Sequence, residues 1–130
     1  MNDYQAIFIS SLIFGAIHLS NSHFTIIGFF NISLSGFLTA MILIKSNTIS
    51  APIGLHWAWN FVQGPIAGFN VSGHKESGVF RVERLAPDYI TSGDFGAEGS
   101  ILLIPITLVA IFIVWKYYRP LTFQVSTQEL

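Results

Sequence analysis

Four apolar runs carry the chain, and polar residues enter them at helical spacing. Residues 4–20, YQAIFISSLIFGAIHLS, form the first run. They are just enough to cross a bilayer core of about 30 Å as a helix. Within it Ser11, Gly15 and His18 fall at i, i+4 and i+7 and share one face. Residues 24–44 form the second run. There Asn31, Ser35 and Thr39 repeat every four residues, and Lys45 ends the run. Ser11 with Gly15, and Gly36 with Ala40, are small-xxx-small pairs suited to close helix contact. The connection 20–23, SNSH, is short, so the first two helices are expected to be antiparallel neighbours.

The third run, residues 48–69, is broken by Pro52, Gly54, His56, Asn60, Gln63, Gly64, Pro65 and Gly68. Such a segment suits the inside of a bundle or the wall of a cavity better than a lipid-facing position. Pro52 is tolerated near the start of a helix, and Gly64-Pro65 is expected to end or kink it. His56 and Asn60 lie one turn apart on one face, and Gln63, seven residues after His56, continues the stripe. The fourth run is residues 101–115. Pro105 is a potential kink, and Trp115, Tyr117 and Tyr118 follow as an interfacial aromatic cluster, with Lys116 and Arg119 as anchors. Residues 70–99 differ in kind. They are rich in Gly, Ser and charge and hold five of the seven acidic residues. They read as a long extramembrane loop with little regular structure, of a length more often functional than idle.

Composition agrees with this pattern. Of 130 residues 52% are hydrophobic and only 10% charged, against about 25% charged in an average soluble domain. The expectation is an all-α membrane protein. A bundle of about four transmembrane helices (4–20, 24–44, 48–69 and 101–115) makes one domain over residues 1–119, and 120–130 form a disordered tail. The lipid bilayer is its first partner. A formal net charge of −1 provides no field to recruit nucleic acid. There is no cysteine, which excludes disulfides and Cys-ligated metal sites. The N-terminus has no basic segment of the kind that opens a signal peptide. Four spans put both termini and Lys45 on one side, and the positive-inside tendency makes that side cytoplasmic.

His18 and His56 are the ionisable residues inside the predicted spans, where such residues mark function by default. A lone histidine on an apolar helix is more often packed and hydrogen-bonded than reactive. Two of them, with an asparagine one turn from the second, favour a site. His23 and His74 fall in loops and read as solvated. Ser11 and Ser35 read as packing residues, since spacing places no base beside them. Phe14, four residues before His18, is placed to pack on its imidazole. For a metal-free hydrolysis, which needs a general base and an oxyanion-stabilising group, His56 with Asn60 offers the oxyanion pair. No Asp or Glu lies inside a predicted span, so the base itself is missing. A catalytic zinc usually takes three protein ligands plus water, and Asn is a weak third ligand.

FGAIH (Phe14 to His18) followed by HWAWN (His56 to Asn60) resembles the second and third motifs of the CPBP intramembrane proteases. That family includes the CAAX prenyl proteases and bacterial bacteriocin-processing and immunity proteins. The flanking TISAPIGLHWAWNFVQGPIAGFNVSG and DFGAEGS are similar to its bacterial branch, and the resemblance spans about residues 4–116. It implies an endopeptidase in a multi-pass, bacterial plasma membrane setting, acting on membrane-associated or prenylated peptides. It implies His18, His56 and Asn60 as catalytic residues, with His18 and His56 also the candidates for holding a divalent metal such as zinc. The family's first motif, Glu-Glu-x-x-x-Arg, would precede residue 4, where only MND stands. The expectation is an N-terminally truncated or degenerate member, and residues 1–130 alone are expected to be inactive. The alternative is a non-catalytic relative with an immunity or regulatory role. A bis-histidine haem protein and an oligomeric transporter are further readings of the two histidines and the broken third run.

Overall fold

A computed structural model describes residues 2–119; the tail expected over 120–130 lies outside them. The described residues fold as five α-helices and several single turns, with no strand among them. The protein is an all-α membrane protein. Helix α1 (Asp3–Ala16) starts at a reciprocal cap, in which Asn2 accepts from the Gln5 amide and Gln5 accepts from the Asn2 amide. This satisfies two of the donors that a helix start leaves open. The helix tightens into a 3-10 turn over Ile17–Ser20. Helix α2 (Ile26–Ser46) is capped by the Thr25 hydroxyl and ends on Asn47 in the left-handed region. Helix α3 (Ser50–Phe61) has Pro52 in its first turn, where no intrahelical donor is required.

Helix α2 is the centre, packed against α1, α3 and α5 (Leu103–Tyr117). It is long and apolar enough to cross a membrane, while α5 is apolar but shorter. The small residues read from the sequence make the α1–α2 contact. A methyl on Gly15 would run into Ser33 Oγ of α2, and one on Gly36 would press on Phe14 and on the Ser11 backbone of α1. Partners climb α1 as they descend α2, so the two helices are antiparallel. Lys45 Nζ donates to the Trp115 carbonyl at 3.0 Å, which places the C-terminal ends of α2 and α5 together and makes these helices parallel. A cation on the open carbonyls of a helix end also opposes the dipole.

Burial is inverted relative to a water-soluble domain. The buried apolar residues described are Ile7, Ile32, Met41, Phe95 and Leu103, whereas eight polar residues are buried, Ser11, Asn31, Gln63, Glu98 and Thr107 among them. Large apolar side chains such as Phe8, Ile13, Phe30, Trp57, Ile106 and Phe112 point outward. Small and polar residues inside with apolar residues outside is how helices pack when the solvent is lipid.

Residues 70–99 are more ordered than their composition suggests. They contain α4 (Asp88–Thr91) and 3-10 turns at Gly93–Phe95 and Ala97–Gly99. The reason is a few inward anchors. Phe95 is fully buried, meets Phe24 edge-on at 6.0 Å, and occupies the space a side chain on Gly28 would need. Arg84 ties the outer part together by donating to Asp94 at 2.5 Å, with Asp88 at 4.0 Å.

Candidate functional site

The α1 extension and α3 bring the two histidines to a common neighbour. The Phe14 ring meets the His18 imidazole edge-on at 5.0 Å between centroids and the His56 imidazole at 5.6 Å. Phe14 thus packs on His18 as its spacing predicts, and on His56 as well, a contact no local pattern reveals. All three side chains are half-buried.

Each imidazole has its tautomer set by a neighbour. His18 Nδ1 lies 2.7 Å from the Phe14 carbonyl oxygen. A carbonyl only accepts, so Nδ1 carries the proton and donates it, leaving Nε2 with a free lone pair. This bond depends on the turn at Ile17–Ser20, which folds the imidazole back along its own helix. His56 Nε2 lies 3.3 Å from Asn60 Nδ2. With the amide oriented this way, Asn60 donates one N–H to Nε2 and keeps a second, and the His56 proton sits on Nδ1.

The stripe does not continue to Gln63 as a working unit. The helix widens into a π-turn over Val62–Ile66, because Pro65 has no N–H to give to the turn before it. Gln63 is buried there and donates to the Asn70 carbonyl at 2.7 Å and to Glu98 Oε2 at 2.5 Å. The segment after it docks on the carbonyls of this turn, with Val79 donating to Pro65 and Phe80 to Ile66.

His56 opens onto two clefts. One, of about 400 Å³, is shared with Phe14, Thr39, Pro52, Ile53, Trp57 and Asn60. The other, about 210 Å³ and mainly apolar, lies between α2, α3 and α5 beside Leu38, Leu55, Trp59, Leu103 and Ile106. Thr39 and Ser35, on the predicted α2 stripe, border the apolar cleft; the Thr39 hydroxyl is turned back to the Ser35 and Gly36 carbonyls at 3.0 Å. Asn31 completes the stripe. It is fully buried and donates to the carbonyls of Glu98 and Ser100 at 2.7 and 2.8 Å.

The other candidates separate as their setting dictates. Ser11 Oγ is satisfied by the Ile7 carbonyl and packs against α2. His23 and His74 are exposed. The sequence reading passed over Glu98, which is only 4% exposed although it stands in the polar segment. Its signal was faint: an acidic residue between Ala97 and Gly99, directly ahead of the last apolar run. Among the described residues no three His, Cys, Asp or Glu side chains converge as a metal set. His18 and His56 alone fall short of a catalytic zinc's three protein ligands, so no step below runs through a metal.

Helix packing, inverted burial and a shared histidine setting define an all-α membrane protein with a polar site inside it. The family described as type II CAAX prenyl endopeptidase Rce1-like matches residues 1–62, the stretch that holds Phe14, His18, His56 and Asn60. Over that stretch the chain is similar to the CAAX-protease family, whose members are membrane-embedded. No curated protein and no solved structure matches the chain.

Proposed function

We propose that His18, His56 and Asn60 form the histidine half of a peptide-bond-hydrolysing site for membrane-associated, prenylated peptides. The observation that carries this reading is the meeting of both motif histidines on one ring, Phe14, within the stretch that matches the family. The free Nε2 of His18 receives or relays the proton of an attacking water, with Nδ1–H held by the Phe14 carbonyl. The second N–H of Asn60, oriented by its bond to His56 Nε2, stabilises the oxyanion that forms on the scissile carbonyl. The apolar cleft beside His56 suits a hydrocarbon chain, and the more open one suits the peptide. A carboxylate base completes such a site. Among the described residues no carboxylate hydrogen-bonds either histidine, so on this reading the described residues lack the base.

The test is cleavage of a prenylated and an unprenylated peptide in proteoliposomes, using residues 1–130 joined to a helix that carries a Glu-Glu-x-x-x-Arg motif. The prenylated peptide is expected to be preferred. Asn60→Ala is expected to lower turnover about 10²–10³-fold, the usual effect of losing one oxyanion donor. Unchanged turnover in Asn60→Ala contradicts the assignment. The same lack of a carboxylate contact favours a second reading, a non-catalytic membrane protein with an immunity or regulatory role; cleavage by no form of the protein selects it.

A further inference from the structure

We infer that Glu98 is a positioning residue, a buried brace that sets the separation of the His18 and His56 segments. Three residues past Asn60, Gln63 donates to Glu98 Oε2 at 2.5 Å. Ser72 donates to the same carboxylate through its backbone N–H at 3.4 Å and its hydroxyl at 3.2 Å. Three residues past His18, Asn21 donates to the Ser72 carbonyl at 3.0 Å. One carboxylate thus closes a path from the end of the His18 turn to the end of α3. The path is built tightly. A side chain on Gly73 would strike the Ser22 carbonyl, and one on Gly96 would strike the Asn70 carbonyl, and both glycines hold positive φ that other residues rarely adopt. Glu98 is itself fixed to α2, since its backbone carbonyl accepts from Asn31. Among the described residues no cation pairs with it, so what it offers is acceptor geometry rather than an ion pair.

The brace has a chemical signature. Glutamine fits its place without loss: the amide oxygen accepts from Gln63 and the Ser72 N–H, and the amide N–H donates to the Ser72 hydroxyl, which turns to accept. Alanine removes every side-chain contact and keeps only the backbone bond from Asn31. The importance of the separation for hydrolysis rests on the function proposed above, but the brace itself is measured without activity.

The chain has no cysteine, so pairs of spin labels can be placed alone. Labels at Leu19→Cys and Ala58→Cys, both exposed and beside the two histidines, report across the brace by pulsed electron resonance in bicelles. Labels at Ile9→Cys and Leu43→Cys, also exposed, report the α1–α2 contact, which the brace does not cross. In Glu98→Ala the narrow 19–58 distance peak is expected to be lost while the 9–43 peak stays. In Glu98→Gln both peaks are expected to stay. The inference is overturned if the 19–58 peak survives Glu98→Ala, if Glu98→Gln loses it too, or if both pairs broaden together. Should Glu98→Ala not be recovered folded, Asn21→Ala and Gln63→Leu each cut one arm. Broadening of the 19–58 distance in either supports the brace, and broadening in neither overturns it.

Discussion

Asn31 offers a quantitative test of the inverted core. It is fully buried on α2 and donates two short bonds to carbonyls just ahead of α5. Replacing it by alanine removes both and strands both acceptors. A net hydrogen bond contributes about 0.5–1.5 kcal/mol, and an acceptor left buried and unpaired costs about 1–3 kcal/mol. Bonds between membrane helices average nearer 0.6 kcal/mol, because the unfolded helices find partners too. Together these place Asn31→Ala at about 2–4 kcal/mol of destabilisation. Asn31→Leu separates the bonds from the volume, since leucine fills the space but donates nothing. If lost bonds dominate, Leu is nearly as damaging as Ala; if a cavity dominates, Leu recovers most of the loss. Reversible unfolding in mixed micelles with increasing dodecyl sulfate, followed by tryptophan fluorescence, measures both. Wild-type-like stability of Asn31→Ala, within about 0.5 kcal/mol, refutes the reasoning, because no compensation of that size is expected for a site without water access.

Other predictions follow from local geometry. Gly15→Val pushes Ser33 and Phe29 away and is expected to loosen α1 from α2 by about 1–3 kcal/mol in the same titration, as overpacked contacts do. Gly54→Ala on α3 meets nothing within 4 Å, so it is expected to stabilise by about 0.5–1 kcal/mol through helix propensity alone. The Arg84 guanidinium, by hydrogen bond and then by charge, holds the Asp94 carboxyl below its ordinary value of 3.8, with His23 adding slightly and burial opposing. A depressed carboxylate stabilises above the unfolded value and loses that contribution as pH falls below it. Order in 81–96 is therefore expected to decline below about pH 3.8, and Asp94→Asn to remove that dependence, as read by amide exchange. Zinc titration of residues 1–130 is expected to show weak binding only; tight binding abolished by His18→Gln contradicts the two-ligand geometry.

The parts of the fold governed by local spacing were legible in the sequence. Ser11, Gly15 and Gly36 announced the α1–α2 seam because only small residues let helix backbones approach so closely. Asn31, Ser35 and Thr39 announced the buried face of α2, since a polar stripe on an apolar helix has to find partners. His56 with Asn60 was legible for the same reason. What was not legible depends on the chain returning from far away. Phe14 between two imidazoles 38 residues apart in number, and Glu98 drawn out of a polar segment by Gln63 and Ser72, follow from tertiary packing alone. The stripe failed at Gln63 because Pro65 widens the helix there and leaves the glutamine to the segment that follows.

The central claim is that the histidine motifs form half of a hydrolytic site. The measurement that tests it most directly compares two proteins for cleavage of a prenylated peptide in proteoliposomes. One is residues 1–130, and the other is the same chain joined to a segment that carries a Glu-Glu-x-x-x-Arg motif, each with and without His56→Ala. The account predicts no cleavage by 1–130, and cleavage by the longer protein that falls about 10²–10³-fold in His56→Ala. Clear cleavage by 1–130, or cleavage indifferent to His56→Ala, contradicts it.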